Sequence, residues 1–489
     1  MFQQVIDHAR SIKTLESVIH LITWDLETMM PAGGLEHRTN QTVLLSGLVH
    51  AKKTDPVFYA NLQKIASSIS DEQSDDAIIV KKMLRDVEKA KKLPQSFVEE
   101  FSAVTSQAWE AWKRAKALSQ FDLFLPNLEH IVDLVRKKAD FLGYEDHPYD
   151  ALIDEFEPET TTQEIDTLFR RLSPKLKNLL QEIRQTAFYE YPYTPIPTTQ
   201  EEQLTICKKL LTFIGFDWNK GRLDTSEHPF STCHHPTDTR ITIRHTSNDL
   251  LNQIGAALHE AGHGLYEMGF ARQYFGTPLA EAVSCSIHES QSRFWETIVG
   301  QSQAFMPHIF DAIQHINSQS YKNIDQLYHA INSVRCSPIR IEADEVTYPF
   351  HVIVRFMVEK ELITGDLKPK DVPDRWNELI RDFVGFTPKN DSEGCLQDIH
   401  WSIGSIGYFP SYTLGSLYAI CFGSAIRKSL PNFDELIQQG SFDSIIKWLH
   451  DQIWKQGRRF SSRELVERTL GRAPNEDDYI AYLRKKYVG

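Results

Sequence analysis

The stretch TSNDLLNQIGAALHEAGHGLYEMG, residues 246–269, reads as one amphipathic helix. Leu250, Leu251, Ile254 and Leu258 recur at three- and four-residue spacing and form an apolar stripe. Thr246-Ser-Asn-Asp249 has the form of a capping box at its start, and Gly269 suits its end. Inside it stands His259-Glu260-Ala261-Gly262-His263. Two histidines four apart on an α-helix lie about 40° apart around the axis and one turn along it, so both imidazoles reach a single metal ion. Glu260 projects beside that ion. A histidine pair is also an ordinary feature of an amphipathic helix, so the reading turns on whether a third ligand follows.

Outward from this stretch, the helical period recurs over about 4–30, 72–91, 95–142 and 161–187, and again over about 279–298, 345–364, 369–384, 411–428 and 440–456. Tyr191-Pro-Tyr-Thr-Pro-Ile-Pro197 cannot be helical, because its prolines remove donors and push their predecessors to extended geometry. It separates an N-terminal helical part, about 1–190, from a metal-binding part, about 198–489. Only near residues 222–246 does the pattern change: Arg240-Ile-Thr-Ile-Arg-His245 alternates and is β-branched, which predicts a half-buried strand. The expected fold is mainly α, a large multi-helix body with a small β-sheet near 222–246. No fixed-period repeat divides it, so 1–489 is expected to form a single catalytic body.

The 489 residues include 53 Lys+Arg and 66 Asp+Glu, a formal net charge of −13. Phosphate neutralisation needs a clustered surplus of cations, so no nucleic-acid partner is expected. With 41% hydrophobic residues the chain can bury a large core, which excludes a disordered protein. Six cysteines, Cys207, Cys233, Cys285, Cys336, Cys395 and Cys421, show no C-x-x-C pair. Neither a disulfide framework nor a thiolate metal site is expected, and a reducing, cytoplasmic setting is. No apolar run approaches the roughly 18 residues that span a bilayer, so no membrane partner is expected either.

A catalytic zinc takes three protein ligands and keeps a position for water. The protease class that continues as H-x-x-G-x-x-H is excluded, because Tyr266 and Gly269 stand where its Gly and last His belong. The third ligand is then expected from a carboxylate on the following segment, which offers Glu281, Glu289 and Glu296. Glu289 is preferred because it lies inside that helical stretch, within Ile287-His-Glu-Ser-Gln291, whereas Glu281 stands at its start; spacing alone leaves all three open. Zinc lowers the pKa of its water to about 7, and an adjacent carboxylate takes the proton as the oxygen attacks a peptide carbonyl. Glu260 is the expected general base. A His-His-Glu set also suits Co2+.

Seven blocks in order make the chain resemble the carboxypeptidase Taq family of zinc metallocarboxypeptidases. Trp24-Asp-Leu-Glu-Thr-Met-Met-Pro31 is similar to the family's W-D-x-E-T-M-M-P, Asp238-Thr-Arg-Ile-Thr242 to D-x-R-x-T, and His259–His263 to its zinc helix. His288-Glu-Ser-Gln291 resembles the block that carries the third ligand, which implies Glu289. Ile339-Arg-Ile-Glu-Ala-Asp344, Gly394-Cys-Leu-Gln-Asp-Ile-His-Trp401 and Gly407-Tyr-Phe-Pro-Ser-Tyr-Thr-Leu-Gly415 complete the set. The resemblance implies a deep active-site groove with zinc at its floor, a homodimer, and release of single residues from the C-termini of peptides. An endo-acting zinc oligopeptidase and a non-catalytic peptide-binding protein of the same fold are the rival readings.

A carboxypeptidase needs a cation for the substrate's terminal carboxylate. Arg340 leads, because guanidinium binds carboxylate bidentately and the resemblance places its block at the groove. The alternative is an ion pair with Glu342, Asp344 or Glu345. Arg240 is a second candidate, which Asp238 two residues away on the same strand face is placed to neutralise. His400, Tyr408 and Tyr412 are candidates for stabilising the oxyanion, and Gln397 for hydrogen-bonding the substrate backbone. The Trp24–Pro31 block reads as core packing with a helix stop. Cys233-His-His235 reads as a strand-entry loop at the groove rim, without the fourth ligand a second metal needs. Helices 72–91 and 95–119 are expected to cover the groove as a movable lid, by analogy with other deep-groove peptidases.

Overall fold

The apolar stripe of residues 250–265 forms the helix Leu250–Met268, which buries Leu250, Leu251, Ile254 and Leu258 as its spacing predicts. The protein is described by a computed structural model covering residues 1–316 and 320–489. The helix start differs from expectation: Asp249 is the N-cap without a side-chain cap bond, and its carboxylate instead accepts from Tyr193 Oη at 3.1 Å and Asn252 Nδ2 at 2.9 Å. Its end at Gly269 is closed in an ordinary right-handed conformation (φ −83°).

The body is mainly helical. Helices Phe2–Thr28, Asp75–Lys92, Thr162–Ile183, Tyr348–Thr364, Val372–Val384, Pro410–Ser429 and Asp443–Gln452 match the periodic stretches. Thr161 and Glu164 close a capping box at the start of Thr162–Ile183. The stretch 95–142 is two helices, Gln95–Leu118 and Leu125–Leu142, because Ser119 takes a left-handed conformation (φ 53°) and ends the first. Helix Leu35–Lys53 escaped the periodicity reading for a physical reason: it buries only Val49 and turns Val43, Leu44 and Leu48 outward, so it has no core-facing stripe.

Three strands form the sheet: β1 (Gly221–Thr225), β2 (Ser231–His235) and β3 (Asp238–Ile243), in the order β1-β3-β2. β1 runs parallel to β3 and β2 antiparallel. Cys233-His-His235 is therefore part of a strand rather than a strand-entry loop. The sheet packs on helix Leu250–Met268, whose Gly264 sits over Thr239 and Ile241.

Two apolar clusters hold the molecule together. The larger runs from Phe97 to Tyr487 and includes Ile196 from the proline-rich tract. The smaller gathers Val5, Ile6, Leu62, Ile79 and Val87 from the first helices and adds Leu279. Trp24 belongs to neither. It is buried, as the core-packing reading expects, with the guanidiniums of Arg222 and Arg240 5.0 and 4.5 Å from its ring centroid.

Candidate metal centre and peptide cavity

The helical spacing of His259 and His263 brings both rings to one side of helix Leu250–Met268, with their centroids 5.0 Å apart. The third donor comes from the next helix. The expected helix 279–298 is broken: a 3-10 turn Pro278–Ala280 precedes helix Cys285–Arg293, and Phe294–Gly300 continues as π-helix. Ser284 caps Cys285–Arg293 by accepting from the Ile287 N–H at 3.1 Å. Glu289, in its middle, places Oε2 3.5 Å from His259 Nε2 and 3.6 Å from His263 Nε2. Among the described residues this is the one group of three or more such side chains whose donor atoms lie within 4.8 Å of one another. Cys233, His234 and His235 form no such group.

The other two carboxylates considered for this role are committed elsewhere. Glu281 precedes the helix and pairs with Lys13 at 3.3 Å and Arg458 at 3.0 Å. Glu296 lies behind His259, with Oε2 2.7 Å from Nδ1, and is held in turn by Arg293 at 2.8 Å. Close helix contact makes this geometry possible. A Cβ on Gly262 would stand 2.5 Å from the Gln291 carbonyl oxygen, and one on Gly415 would stand 2.5 Å from Glu289 Cγ.

The electrostatics favour a cation here. Burial works against protonating His259, but Glu289 and Glu296 reverse it and raise the ring to about 9. Burial, opposed by His259 and aided by Glu289, pushes Glu260 up to about 7. Burial lowers His263 well below its ordinary value, with His288 and His259 adding to the effect. Two neutral-capable imidazoles, a carboxylate and a field that draws positive charge suit a divalent ion with borderline ligands.

A cavity of about 690 Å³ opens from His263, His288, Glu289 and Tyr408 toward Lys13 and Arg458. Helix Asp75–Lys92 lines it through Met83, Asp86 and Val87. Helix Gln95–Leu118 packs elsewhere, donating from Trp112 Nε1 to the Leu396 carbonyl at 2.9 Å, so of the two helices expected as a lid only the first reaches the cavity wall.

Arg340 is buried, and its ion-pair partner is Asp398 (3.0 Å) rather than Glu342, Asp344 or Glu345. It sits on a 3-10 turn, Arg340–Glu342, so its chain neighbours point away; Glu345 binds Lys486 instead, and Asp344 accepts from Thr347. Arg340 Nη1 donates to Tyr348 Oη at 2.6 Å, its guanidinium lies 4.6 Å from the Tyr412 ring centroid, and its N–H donates to Gln397 Oε1 at 2.8 Å. The Gln397 amide nitrogen donates to the Pro338 and Glu393 carbonyls at 3.1 and 2.9 Å. Asp398 also binds Arg355, leaving two guanidiniums against one carboxylate. Burial drives His400 down to about 3, so it is neutral, with Nε2 3.1 Å from Tyr412 Oη. Tyr408 packs edge-on against Tyr412 at 5.1 Å. Arg240 forms a bidentate pair with Asp238 at 2.9 and 3.0 Å under Trp24, the neutralised arrangement weighed above. Sequence reasoning did not single out Asp398, Tyr348 or Arg293. Asp398 stands in the same block as Gln397, and Arg293 follows Glu289 by one helical turn, which were the available signals.

An H-E-x-x-H helix meeting a carboxylate from the next helix, at the wall of a cavity in a helical body, defines a metallopeptidase-type site. The chain belongs to the carboxypeptidase Taq family: residues 4–487 match the family described as Carboxypeptidase Taq (M32) metallopeptidase. It is 37% identical over 502 residues to thermostable carboxypeptidase 1 of Thermus thermophilus, covering 100% of this chain and 98% of that one. Against carboxypeptidase 1 of Bacillus subtilis it is 34% identical over 490 residues, covering 99% and 97%. The solved structure of Pyrococcus furiosus carboxypeptidase matches with a TM-score of 0.96 at 35% identity, covering 99% of this chain and 98% of that one. The protein is a metallocarboxypeptidase, and neither the endo-acting nor the non-catalytic reading is favoured.

Proposed function

We propose that this protein removes single residues from peptides with a free C-terminus, using Zn2+, with Co2+ as a working substitute, held by His259, His263 and Glu289. The observation that carries this reading is the convergence of those three donors within 4.8 Å, with His263 and Glu289 lining the cavity. A bound divalent ion lowers the pKa of its water toward about 7 and polarises the scissile carbonyl. Glu260 takes the proton from the attacking water and returns it to the leaving amine.

Arg340 anchors the terminal carboxylate, because the Arg340-Arg355-Asp398 group keeps one positive charge unbalanced. Gln397 and Asp398 hold Arg340 in place through its backbone and its guanidinium. Tyr408 and Tyr412 are the uncharged donors for the developing oxyanion, with neutral His400, 3.1 Å from Tyr412 Oη, orienting that hydroxyl. Arg240 supports the sheet under Trp24 and plays a lesser part in binding. Residues 1–489 act as one catalytic body.

We also propose a homodimer, because Leu35, Val43, Leu44 and Leu48 on one helix are 46–65% exposed, an apolar face that association would cover. Six free cysteines fit a cytoplasmic setting. Metal-replete protein should shorten a free peptide one residue at a time from its C-terminus and leave the C-terminal amide of the same peptide intact, read by mass spectrometry. Internal cleavage or loss from the N-terminus would contradict the assignment, and Leu44→Glu should convert a dimer to monomer in light scattering.

A further inference from the structure

We infer that Glu157 is a positioning residue of the metal centre: its carboxylate fixes the first turn of the helix that carries Glu289. The inference rests on the reading of Glu289 as a metal ligand.

Glu157 follows helix Pro148–Phe156, far from the motif blocks in sequence, and is fully buried. A buried carboxylate is costly unless its lone pairs are filled. Here the donors are on the ligand helix. The Ser286 N–H donates to Glu157 Oε1 at 2.5 Å, and Ser286 Oγ donates to Oε2 at 2.6 Å. Ser286 stands on the first turn of Cys285–Arg293, three residues before Glu289.

The surrounding hydroxyls share one direction. Ser462 Oγ donates to Ser284 Oγ at 2.8 Å, and Ser284 and Ser286 hydroxyls lie 3.0 Å apart. Since Ser286 spends its proton on Glu157, Ser284 donates to Ser286, and the chain of donors ends on the Glu157 carboxyl oxygens. Burial pushes this carboxyl up to about 7, and the Ser286 hydrogen bonds oppose that shift. Gly415 also leaves Glu289 no lateral room, since a Cβ there would stand 2.5 Å from Glu289 Cγ. Phe156, next to Glu157, packs edge-on against Tyr408 at 5.0 Å. One dipeptide therefore braces both the ligand helix and a tyrosine of the cavity.

The test compares Glu157→Leu, which removes both acceptors, with Glu157→Gln, which still accepts from the Ser286 N–H and offers an N–H to Ser286 Oγ. Zinc dissociation constants are measured by chelator competition on the full-length protein, with the visible spectrum of the cobalt-loaded form and kcat and KM alongside. Glu157→Leu should bind zinc roughly 10–100-fold more weakly, shift the cobalt spectrum and lower kcat at little-changed KM, and Glu157→Gln should restore most of each. Glu289→Gln runs in parallel: wild-type zinc affinity in that variant refutes Glu289 as a ligand, whatever Glu157 does. Loss of zinc in Glu289→Gln together with wild-type affinity and spectrum in Glu157→Leu overturns the positioning role. If Glu157→Leu does not fold, Ser286→Ala removes the hydroxyl arm alone; weaker zinc binding upholds the inference and unchanged affinity overturns it.

Discussion

Glu296 Oε2 lies 2.7 Å from Nδ1 of His259, on the opposite side of the ring from the Nε2 that faces Glu289 at 3.5 Å. Burial opposes the charge on Glu296, but Arg293 and His259 override it and hold the carboxyl at about 2. A permanent carboxylate there keeps the proton on Nδ1 and leaves the Nε2 lone pair for a metal. Glu296→Ala should therefore weaken zinc binding by about 10–100-fold. Chelator competition at neutral pH checks this, and wild-type affinity in the variant would refute the orienting role.

Glu260 contributes no ligand atom to the cluster, so its loss separates binding from turnover. Glu260→Gln should keep the wild-type metal-to-protein ratio while kcat falls by about 10²–10⁴. Atomic absorption and steady-state kinetics on the same preparation decide it. Retained turnover would remove Glu260 from its role as base.

Gly262 and Gly255 share one helix but differ in surroundings. A Cβ at 262 would stand 2.5 Å from the Gln291 carbonyl oxygen and 2.6 Å from Ser292 Cα, whereas at 255 nothing lies within 4 Å. Gly262→Ala should cost about 1–3 kcal/mol by forcing the two ligand helices apart, and should weaken zinc binding. Gly255→Ala should be neutral or stabilise by up to about 1 kcal/mol through helix propensity. Thermal melts of the metal-free variants provide the comparison, and equal effects would contradict the packing account.

Glu281 ties the first helix to the body through Lys13 and Arg458. Burial pushes its carboxyl up, and the two cations more than reverse it, from 4.5 to about 2. A depressed folded-state value means stability that is fully present above about 4.5 and lost as pH falls toward about 2. Glu281→Gln should be less stable than wild type by a constant margin above pH 5, and the margin should shrink on acidification. Calorimetry across pH 3 to 7 checks this; a margin that stays constant throughout would count against it.

The three donors proposed to hold the metal were legible by different routes. His259 and His263 need only the 3.6-residue turn, and Glu289 was placed by its block once the resemblance was seen. The substrate groups were less so. Arg340 was singled out, but its partner Asp398 lies 58 residues on, and no local pattern encodes a pairing across the two helices between them. Glu296 was visible as a carboxylate on the right segment, yet its place behind His259 follows from a π-helical continuation that residue spacing does not announce.

The sequence by itself determined the helical class, the small sheet and the family, and pointed to the three proposed ligands, because amphipathic period and motif spacing are properties of the chain over a few turns. Only the tertiary structure decided what holds those ligands. Glu157 reaches Ser286 across 129 residues, Glu296 backs His259 across 37, and Gly415 closes on Glu289. Such contacts are set by how helices pack against one another, where close approach and the filling of buried lone pairs, rather than local propensity, select the partner.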